Sequence, residues 1–436
     1  MKKLIKRLLP ERSLLFYHYL VAIFAAIRFG FPSRDMVVIG VTGTKGKTSA
    51  ANFIWSVLQM SDYKTGIITT ANIRIGHKEI TNDMHMTMPG RFAIQKLLSE
   101  MAEEGCTHVV VETTSEGLKQ FRHVGINYDY CIFTNLYPEH LSSHEGSMEK
   151  YKEQKGVLFK TLSRSRRKVV NNRRIAKVNI VNRDSDYAEY FGSFKADHKT
   201  DFSIEEKSDF QAKNIEDTEL GVAFKVNGDK YEILIPGKFN VYNALPAIAV
   251  AKEEKIPKEN VARGLKQLSI IPGRMERIDV GQNFFTFVDY AHERESMRQS
   301  LETASSIVRP SDRIIVLLGA EGGGRDIAKR SAMGEVAASI ADCVVVSNVD
   351  PYDSDPEEIL EDIARASEEH GKVRDKDLFV IEDRREGIRK ALSLARPDDI
   401  VMITGKGSEQ SIIIGNKKIP WDDREVTQEE LLNMKK

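Results

Sequence analysis

The stretch Met36-Val37-Val38-Ile39-Gly40-Val41 leads into Gly43-Thr44-Lys45-Gly46-Lys47-Thr48, and Ser49 to Met60 follows with helical character. The first run is short, apolar and β-branched, the makeup of a strand buried on both faces. The glycines let backbone N–H groups approach an anion closely. A helix that starts at once adds its unpaired N–H groups and positive dipole end. Strand, glycine-rich loop and helix in this order form the unit that cradles nucleotide phosphates. In that unit Lys47 neutralises β/γ-phosphate charge and the Thr48 hydroxyl ligates Mg²⁺. The longer form of the motif has a further glycine where this chain has Val41, so the fit is to the shorter G-T-x-G-K-T form.

Working outward, the pattern repeats. Phe92 to Glu104 and Ser147 to Leu162 read as helices, and His108 to Val111 and Tyr130 to Thr134 as strands. Such alternation predicts a parallel, doubly wound sheet. Residues 165 to 235 read as short antiparallel strands, with Val222 to Val226 and Tyr231 to Ile235 joined by the hairpin signal Asn227-Gly228. Asn243 to Lys252 and Glu259 to Leu268 look helical, and Ile271-Pro272-Gly273 punctuates the chain. Beyond it, strands at Phe285 to Asp289, Arg313 to Leu318, Cys343 to Ser347, Phe379 to Ile381 and Ile400 to Thr404 alternate with helices. The expectation is an α/β protein. Residues 1–35 form an N-terminal helical segment, and 36–271 a P-loop central domain with a mostly parallel sheet. Residues 272–436 form a C-terminal Rossmann-like α/β domain.

The bulk numbers agree. A chain of 436 residues holds two or three domains of ordinary size, and 41% hydrophobic residues suffice for their cores. Lys plus Arg equals Asp plus Glu at 64 each, so the total charge gives no hint of a nucleic-acid partner, while leaving room for a local basic groove for an anionic small molecule. Cys106, Cys131 and Cys343 lie far apart and read as buried thiols of a reducing compartment. Met1 to Arg12 is basic, and Leu14 to Ile27 is almost wholly apolar. That run is short for a membrane span and lacks a cleavage site. It reads as a helix packed on the body or another subunit, or one in peripheral membrane contact through its basic flank. A loop that must meet ATP places the chain in the cytoplasm.

Six ordered motifs carry a resemblance. Besides the loop they are Glu112-Thr113-Thr114-Ser115-Glu116-Gly117-Leu118-Lys119-Gln120-Phe121-Arg122; Phe133-Thr134-Asn135-Leu136 with Glu139-His140-Leu141; Gly237-Lys238-Phe239-Asn240-Val241-Tyr242-Asn243-Ala244; Pro272-Gly273-Arg274-Met275-Glu276 with Asp289-Tyr290-Ala291-His292; and Gly405-Lys406-Gly407-Ser408-Glu409. The chain resembles the Mur ligase family, and within it the synthetases that add the third residue of the peptidoglycan stem peptide. The resemblance implies an ATP-dependent amide ligase of cell-wall precursor synthesis. Its substrates would be a UDP-linked peptide precursor and a free amino acid, joined through an acyl phosphate.

It also implies roles. Gly43, Thr44, Lys45, Gly46, Lys47 and Thr48 hold the ATP phosphates. Thr48, Glu112, His140 and Lys155 serve two Mg²⁺ ions, Lys155 as a carbamate formed with CO₂. Glu139 replaces the family's aspartate. Asn240 and Asn243 lie near adenine, while Arg274 and Asp289 reach phosphate and ribose from the C-terminal domain, which must close for the site to be complete. Thr114, Ser115 and Arg122 contact the sugar nucleotide. Arg325, Asp350, Gly405 and Glu409 belong to the amino-acid side.

Three departures accompany the resemblance. Family members carry an N-terminal uridine-binding domain, whereas here 35 residues precede the first strand. Where diaminopimelate-adding members read D-N-P-R, this chain reads Val349-Asp350-Pro351-Tyr352. A phenol cannot replace the bidentate arginine–carboxylate contact, so a different amino acid is expected, such as lysine with its ammonium at Asp350 or Asp353. Finally, Ser408 and Glu293-Arg294 stand where the family has His and Thr-Pro. Two alternatives stay open: a ligase for a non-muropeptide, polyglutamate-like acceptor, and an ATP-binding partner subunit that does not itself ligate.

Overall fold

The computed structural model describes residues 11–76, 78–80, 86–139, 141–218, 220–324 and 327–434. The chain divides into two compact units. The first runs to Ile215 and includes Phe224–Glu232 and Asn240–Leu268; the second takes Glu216–Ala223, Ile233–Phe239 and everything from Ser269.

Eleven strands form the larger sheet. Val37–Thr42 sits inside it, parallel to His108–Glu112 on one side and to Tyr130–Phe133 on the other. Every residue of these three strands is buried, which is why the sequence shows runs of apolar residues rather than alternation. Thr65–Ile68 adds in parallel next to His108–Glu112, and Ile73–Ile75 and Lys78–Ile80 finish that edge antiparallel.

On the other side the expectation for residues 165–235 needs correction. Val178–Asn182 pairs parallel with Tyr130–Phe133 and with His198–Ser203, and Phe202 faces Phe210 in parallel register. Val169–Val170 does pair antiparallel with Arg173–Arg174, and the far edge keeps the expected hairpin, where Asn227 and Gly228 both have positive φ (51° and 90°), as a two-residue hairpin turn requires. The asparagines of Val178–Asn182 conceal its buried character. Asn179 donates to the Phe191 carbonyl at 2.8 Å and Asn182 to that of Thr134 at 2.7 Å, so a polar strand tolerates full burial.

The helix after the loop spans Lys47–Gln59, two residues earlier than its apolar pattern suggested, because Gly46 adopts φ 77° and caps it. Helix Met148–Arg164 is capped by the Ser147 side chain, which accepts from Lys150 N, and buries Tyr151, Lys155, Leu158, Phe159 and Leu162 on one face. These pack into the first unit's core with Phe133 and Phe191, whose rings stack at 3.8 Å. Pro246 lies inside helix Phe239–Glu253.

The second unit holds a six-stranded sheet in the order Glu276–Arg277, Phe285–Asp289, Ile400–Thr404, Ile314–Leu318, Cys343–Val346, Leu378–Val380. All its neighbours are parallel except the first pair. Its core gathers Val288, Ile315, Leu317, Val345, Ile388, Val401 and Ile403.

Candidate active site

The loop is built by close approach. A Cβ on Gly43 would stand 1.9 Å from Thr134 Oγ1, and one on Gly46 2.1 Å from Asn243 Oδ1. Both positions also need positive φ, so glycine is required on two counts. Asn135 braces the loop: its carbonyl accepts from Thr44 N at 2.9 Å and its Oδ1 from Lys45 N at 2.8 Å. Thr134 Oγ1 donates to the Lys45 carbonyl at 2.7 Å. The Phe133-Thr134-Asn135-Leu136 motif thus acts as a support for Gly43–Thr48. Asn243 donates to Asn240 Oδ1 at 2.9 Å, so those two residues stand beside Gly46 as a pair.

At the helix start, Thr48 Oγ1 donates to Glu112 Oε2 at 2.9 Å. The same carboxylate oxygen accepts from Thr70, through its N–H at 2.9 Å and its hydroxyl at 3.2 Å. Thr48 and Glu112 are both buried. A hydroxyl and a carboxylate held together are hard oxygen donors of the kind Mg²⁺ selects, with phosphate and water oxygens completing its six positions. The residues present therefore fit a Mg²⁺–nucleotide. Among the described residues no group of three or more His, Cys, Asp or Glu side chains forms a metal site by itself. Lys45 pairs with Glu139 at 2.8 Å, and Lys47 Nζ donates to the Thr44 carbonyl at 2.8 Å.

Lys155 is the least ordinary group. Its side chain is 2% exposed, and its Nζ donates to the Gly43 carbonyl at 2.7 Å. Burial holds its pKa well below the usual lysine value. Lys47 pushes the same way, while Glu139 and Glu112 oppose. A buried amine lies directly under the phosphate loop.

Thr114 caps helix Ser115–Lys119 by accepting from Gly117 N at 3.0 Å. Ser115 Oγ lies 3.1 Å from His144 Nε2. Burial, and then the charge of Lys155, hold the His144 pKa below its ordinary value. Arg122 donates to the Met88 carbonyl and, at 2.8 Å, to Gln120 Oε1. Burial, then the charge of Arg122, lower the Arg91 pKa, so two half-buried guanidiniums repel one another. His144, Thr70 and Arg91 were missed in the sequence. His144 follows His140 by four residues in one loop, and Arg91 opens a helix after Pro89-Gly90; either spacing was a usable signal. His140 and Arg325 lie outside the described residues.

In the second unit Arg274 lies over the Tyr290 ring at 4.2 Å. Asp289 is committed to the fold. It accepts from Met275 N, Ala291 N and Ser300 Oγ at 2.8, 3.0 and 2.8 Å. Asp350 is similarly engaged, by Lys406 Nζ at 2.8 Å and by Ile413 N at 2.8 Å. The expectation that Asp350 meets an incoming ammonium thus concerns a carboxylate already paired with Lys406, whereas Asp353 is exposed. Lys406, fully buried, also pairs with Glu409, which accepts from Tyr290 OH at 3.0 Å. Burial alone would lower the Lys406 pKa, but Glu409 and Asp350 raise it. Gly405 has φ 113° and opens this segment. Tyr352 also has positive φ (53°) and pairs with Ile414.

A nucleotide-phosphate loop with a buried lysine beneath it, followed by a second α/β unit, matches one class of enzyme. The Mur ligase middle domain matches residues 41–251 and the Mur ligase, glutamate ligase domain residues 273–407. The chain belongs to the Mur ligase family of ATP-dependent, ADP-forming amide ligases. Among relatives, the UDP-N-acetylmuramoyl-L-alanyl-D-glutamate–2,6-diaminopimelate ligase of Geobacillus kaustophilus is 36% identical over 411 residues, 93% of this chain and 81% of that protein. The UDP-N-acetylmuramyl-tripeptide synthetase of a Roseiflexus species is 36% identical over 410 residues, 92% and 79% of the two chains. A solved folylpolyglutamate synthase from Mycobacterium tuberculosis, complexed with ADP, shares the fold. Its TM-score is 0.70 at 19% identity, over 91% of this chain and 95% of that one.

Proposed function

We propose that the enzyme adds an amino acid to the peptide carboxylate of a UDP-N-acetylmuramoyl-peptide in cytoplasmic peptidoglycan precursor synthesis. The observation that carries this reading is the buried Lys155 beneath Gly43–Thr48, its amine donating to the Gly43 carbonyl and its pKa held well below the usual lysine value by burial. The acceptor carboxylate attacks the ATP γ-phosphorus, giving an acyl phosphate and ADP. The amine then attacks the acyl carbon; the C–O bond to phosphate breaks, and the amine loses a proton as the amide forms. Lys47 and the loop N–H groups meet the charge that builds on the phosphoryl oxygens. Two Mg²⁺ ions would supply charge neutralisation at the phosphates, with Thr48 and Glu112 holding one.

Lys155 as a neutral amine adds to CO₂, forming a carbamate and releasing one proton. That puts an anion where the uncharged amine stood, on the side where the second ion would be held and where His140 also belongs in this reading. Thr114, Ser115 with His144, and the Arg91–Arg122 pair form the wall that receives the anionic acceptor. The names of the relatives given above support a UDP-N-acetylmuramoyl-peptide as the acceptor. Tyr352, where diaminopimelate-adding members have arginine, favours an amino acid without a distal carboxylate, lysine foremost, with Asp353 available to its ammonium. In this reading Arg274 and Asp289 serve nucleotide binding, Asp289 by fixing Met275 beside Arg274.

The test combines the full chain with ATP, Mg²⁺ and UDP-N-acetylmuramoyl-dipeptide, screens amino acids and follows phosphate. Release should require both acceptor and amino acid, with lysine ahead of diaminopimelate. Release indifferent to the acceptor would remove the muropeptide reading.

A further inference from the structure

We propose that helix Glu11–Arg28 lays its outer face on an anionic lipid surface. The argument begins with its two faces. Ala22, Ala25 and Ala26 are buried, and the helix packs on helix Arg91–Glu103 of the same unit. The approach is close: a Cβ on Gly125 would stand 2.4 Å from Ala26 Cβ. Small residues face the body, so the large ones face away. Phe16, Leu20, Phe24 and Ile27 are 63%, 50%, 60% and 59% exposed. Their spacing of four, four and three residues puts them on one stripe. Phe24 extends the stripe to Phe92, itself 42% exposed, with ring centroids 5.9 Å apart. A helix apolar on both sides needs an apolar neighbour on both, and the described body supplies one on the alanine side only.

Charge decides what that neighbour is. Lys2, Lys3, Lys6, Arg7 and Arg12 precede or open the helix, and Arg28 and Arg34 end it, against Glu11 alone before Asp35. A second copy would bring the same seven cations against its twin. A surface of anionic lipid meets them with opposite charge, and aromatic and aliphatic side chains enter the headgroup boundary while the basic flank stays at its surface. The helix lies along the membrane rather than through it. Its 18 residues span about 27 Å. No helix among the described residues is long and apolar enough to cross a membrane. The alanine face holds it on the body. This inference does not depend on which substrate the ligase takes.

The experiment mixes the full chain with vesicles of phosphatidylcholine, with or without phosphatidylglycerol, and measures co-sedimentation. Partitioning should rise on the order of tenfold with phosphatidylglycerol and fall as salt rises. A Phe16→Ser, Leu20→Ser, Phe24→Ser triple variant should lose it on the order of tenfold while its Mg²⁺-ADP affinity stays unchanged. All three cysteines are buried, so a Leu20→Cys variant accepts one environment-sensitive label at the stripe. The label should shift to the blue with phosphatidylglycerol vesicles. Equal partitioning into both vesicle types, or a label shielded by dimerisation with no vesicle binding, would overturn the proposal.

Discussion

Lys155 and Gly46 show how single residues set the chemistry. Lys155 is a poor structural choice: a buried amine that donates one hydrogen bond to Gly43 and sits near Lys47. An uncharged isostere would pack there at less cost, so a lysine at this place points to the chemistry of its nitrogen. Lys155→Ala is expected to lower turnover on the order of 10²-fold or more, as loss of a charge stabiliser does elsewhere. Wild-type turnover should fall in CO₂-depleted buffer and return with bicarbonate, while the variant responds to neither. A wild type insensitive to CO₂ would end the carbamate assignment.

Gly46→Ala drives a Cβ into Asn243 at a φ of 77°. Nucleotide affinity should drop by about 1–3 kcal/mol, read as the Kd of Mg²⁺-ADP by calorimetry. Unchanged affinity would show that the loop yields. The sequence exposed these residues because phosphate loops and their supports demand fixed residue types at fixed spacing. Asp289 and Asp350 were harder to read. A carboxylate in a motif looks the same whether it faces a ligand or caps its own backbone, and only the contacts to Met275 N and Ile413 N separate the two.

At the scale of elements, the apolar strands buried on both faces announced themselves; most helix ends shifted by one or two residues, but the helix expected from Asn243 begins at Phe239. The parallel pairing of Val178–Asn182 stayed hidden because partner choice is a tertiary property. The turn after helix Ser115–Lys119 gives a measurable case. His123 is buried there beside Phe121, and burial pushes its pKa down to about 4 from 6.5. Between those values the unfolded chain binds a proton that the folded chain does not, so stability falls as pH drops. The slope is about 1.4 kcal/mol per pH unit. His144 is shifted in the same direction and adds to it. Glu254, held down to about 2 from 4.5, contributes only at lower pH, whereas Glu276 and Glu409, raised by burial, oppose the histidines above 4.5, so the comparison with a His123 variant over the window from 4.5 to 6.5 isolates its share. Burial works against the lowering at Glu254, and His108, Tyr130 and Arg173 outweigh it. Urea midpoints of His123→Gln across the window should show a flatter slope than wild type. An equal slope would mean that His123 is solvated.

The whole molecule carries its two tryptophans in different units, Trp55 in the first and Trp421 in the second, so each unit reports on itself. In the second unit one buried ion pair organises the segments that carry Asp350 and Lys406. Arg384 is 1% exposed and Asp423 fully buried, and Arg384 Nε and Nη2 donate to the two oxygens of Asp423 at 2.8 and 2.6 Å. The same guanidinium donates to the carbonyls of Asn348 at 3.1 Å and Thr404 at 2.8 Å, where those two segments leave their strands. Trp421 Nε1 donates to Asp423 Oδ1 at 2.8 Å. Arg384→Met keeps most of the volume but strands the carboxylate and two carbonyls, which costs about 3–5 kcal/mol. Trp421 fluorescence in a Trp55→Phe background should show that loss as an earlier urea midpoint. Trp55 fluorescence in a Trp421→Phe background should move much less, because its core lies in the first unit. Turnover should fall as well, since Lys406 and Asp350 depend on segments that Arg384 anchors. A Trp421 midpoint within about 1 kcal/mol of wild type would deny the pair its anchoring role, because a buried carboxylate that loses this arginine cannot be that inexpensive.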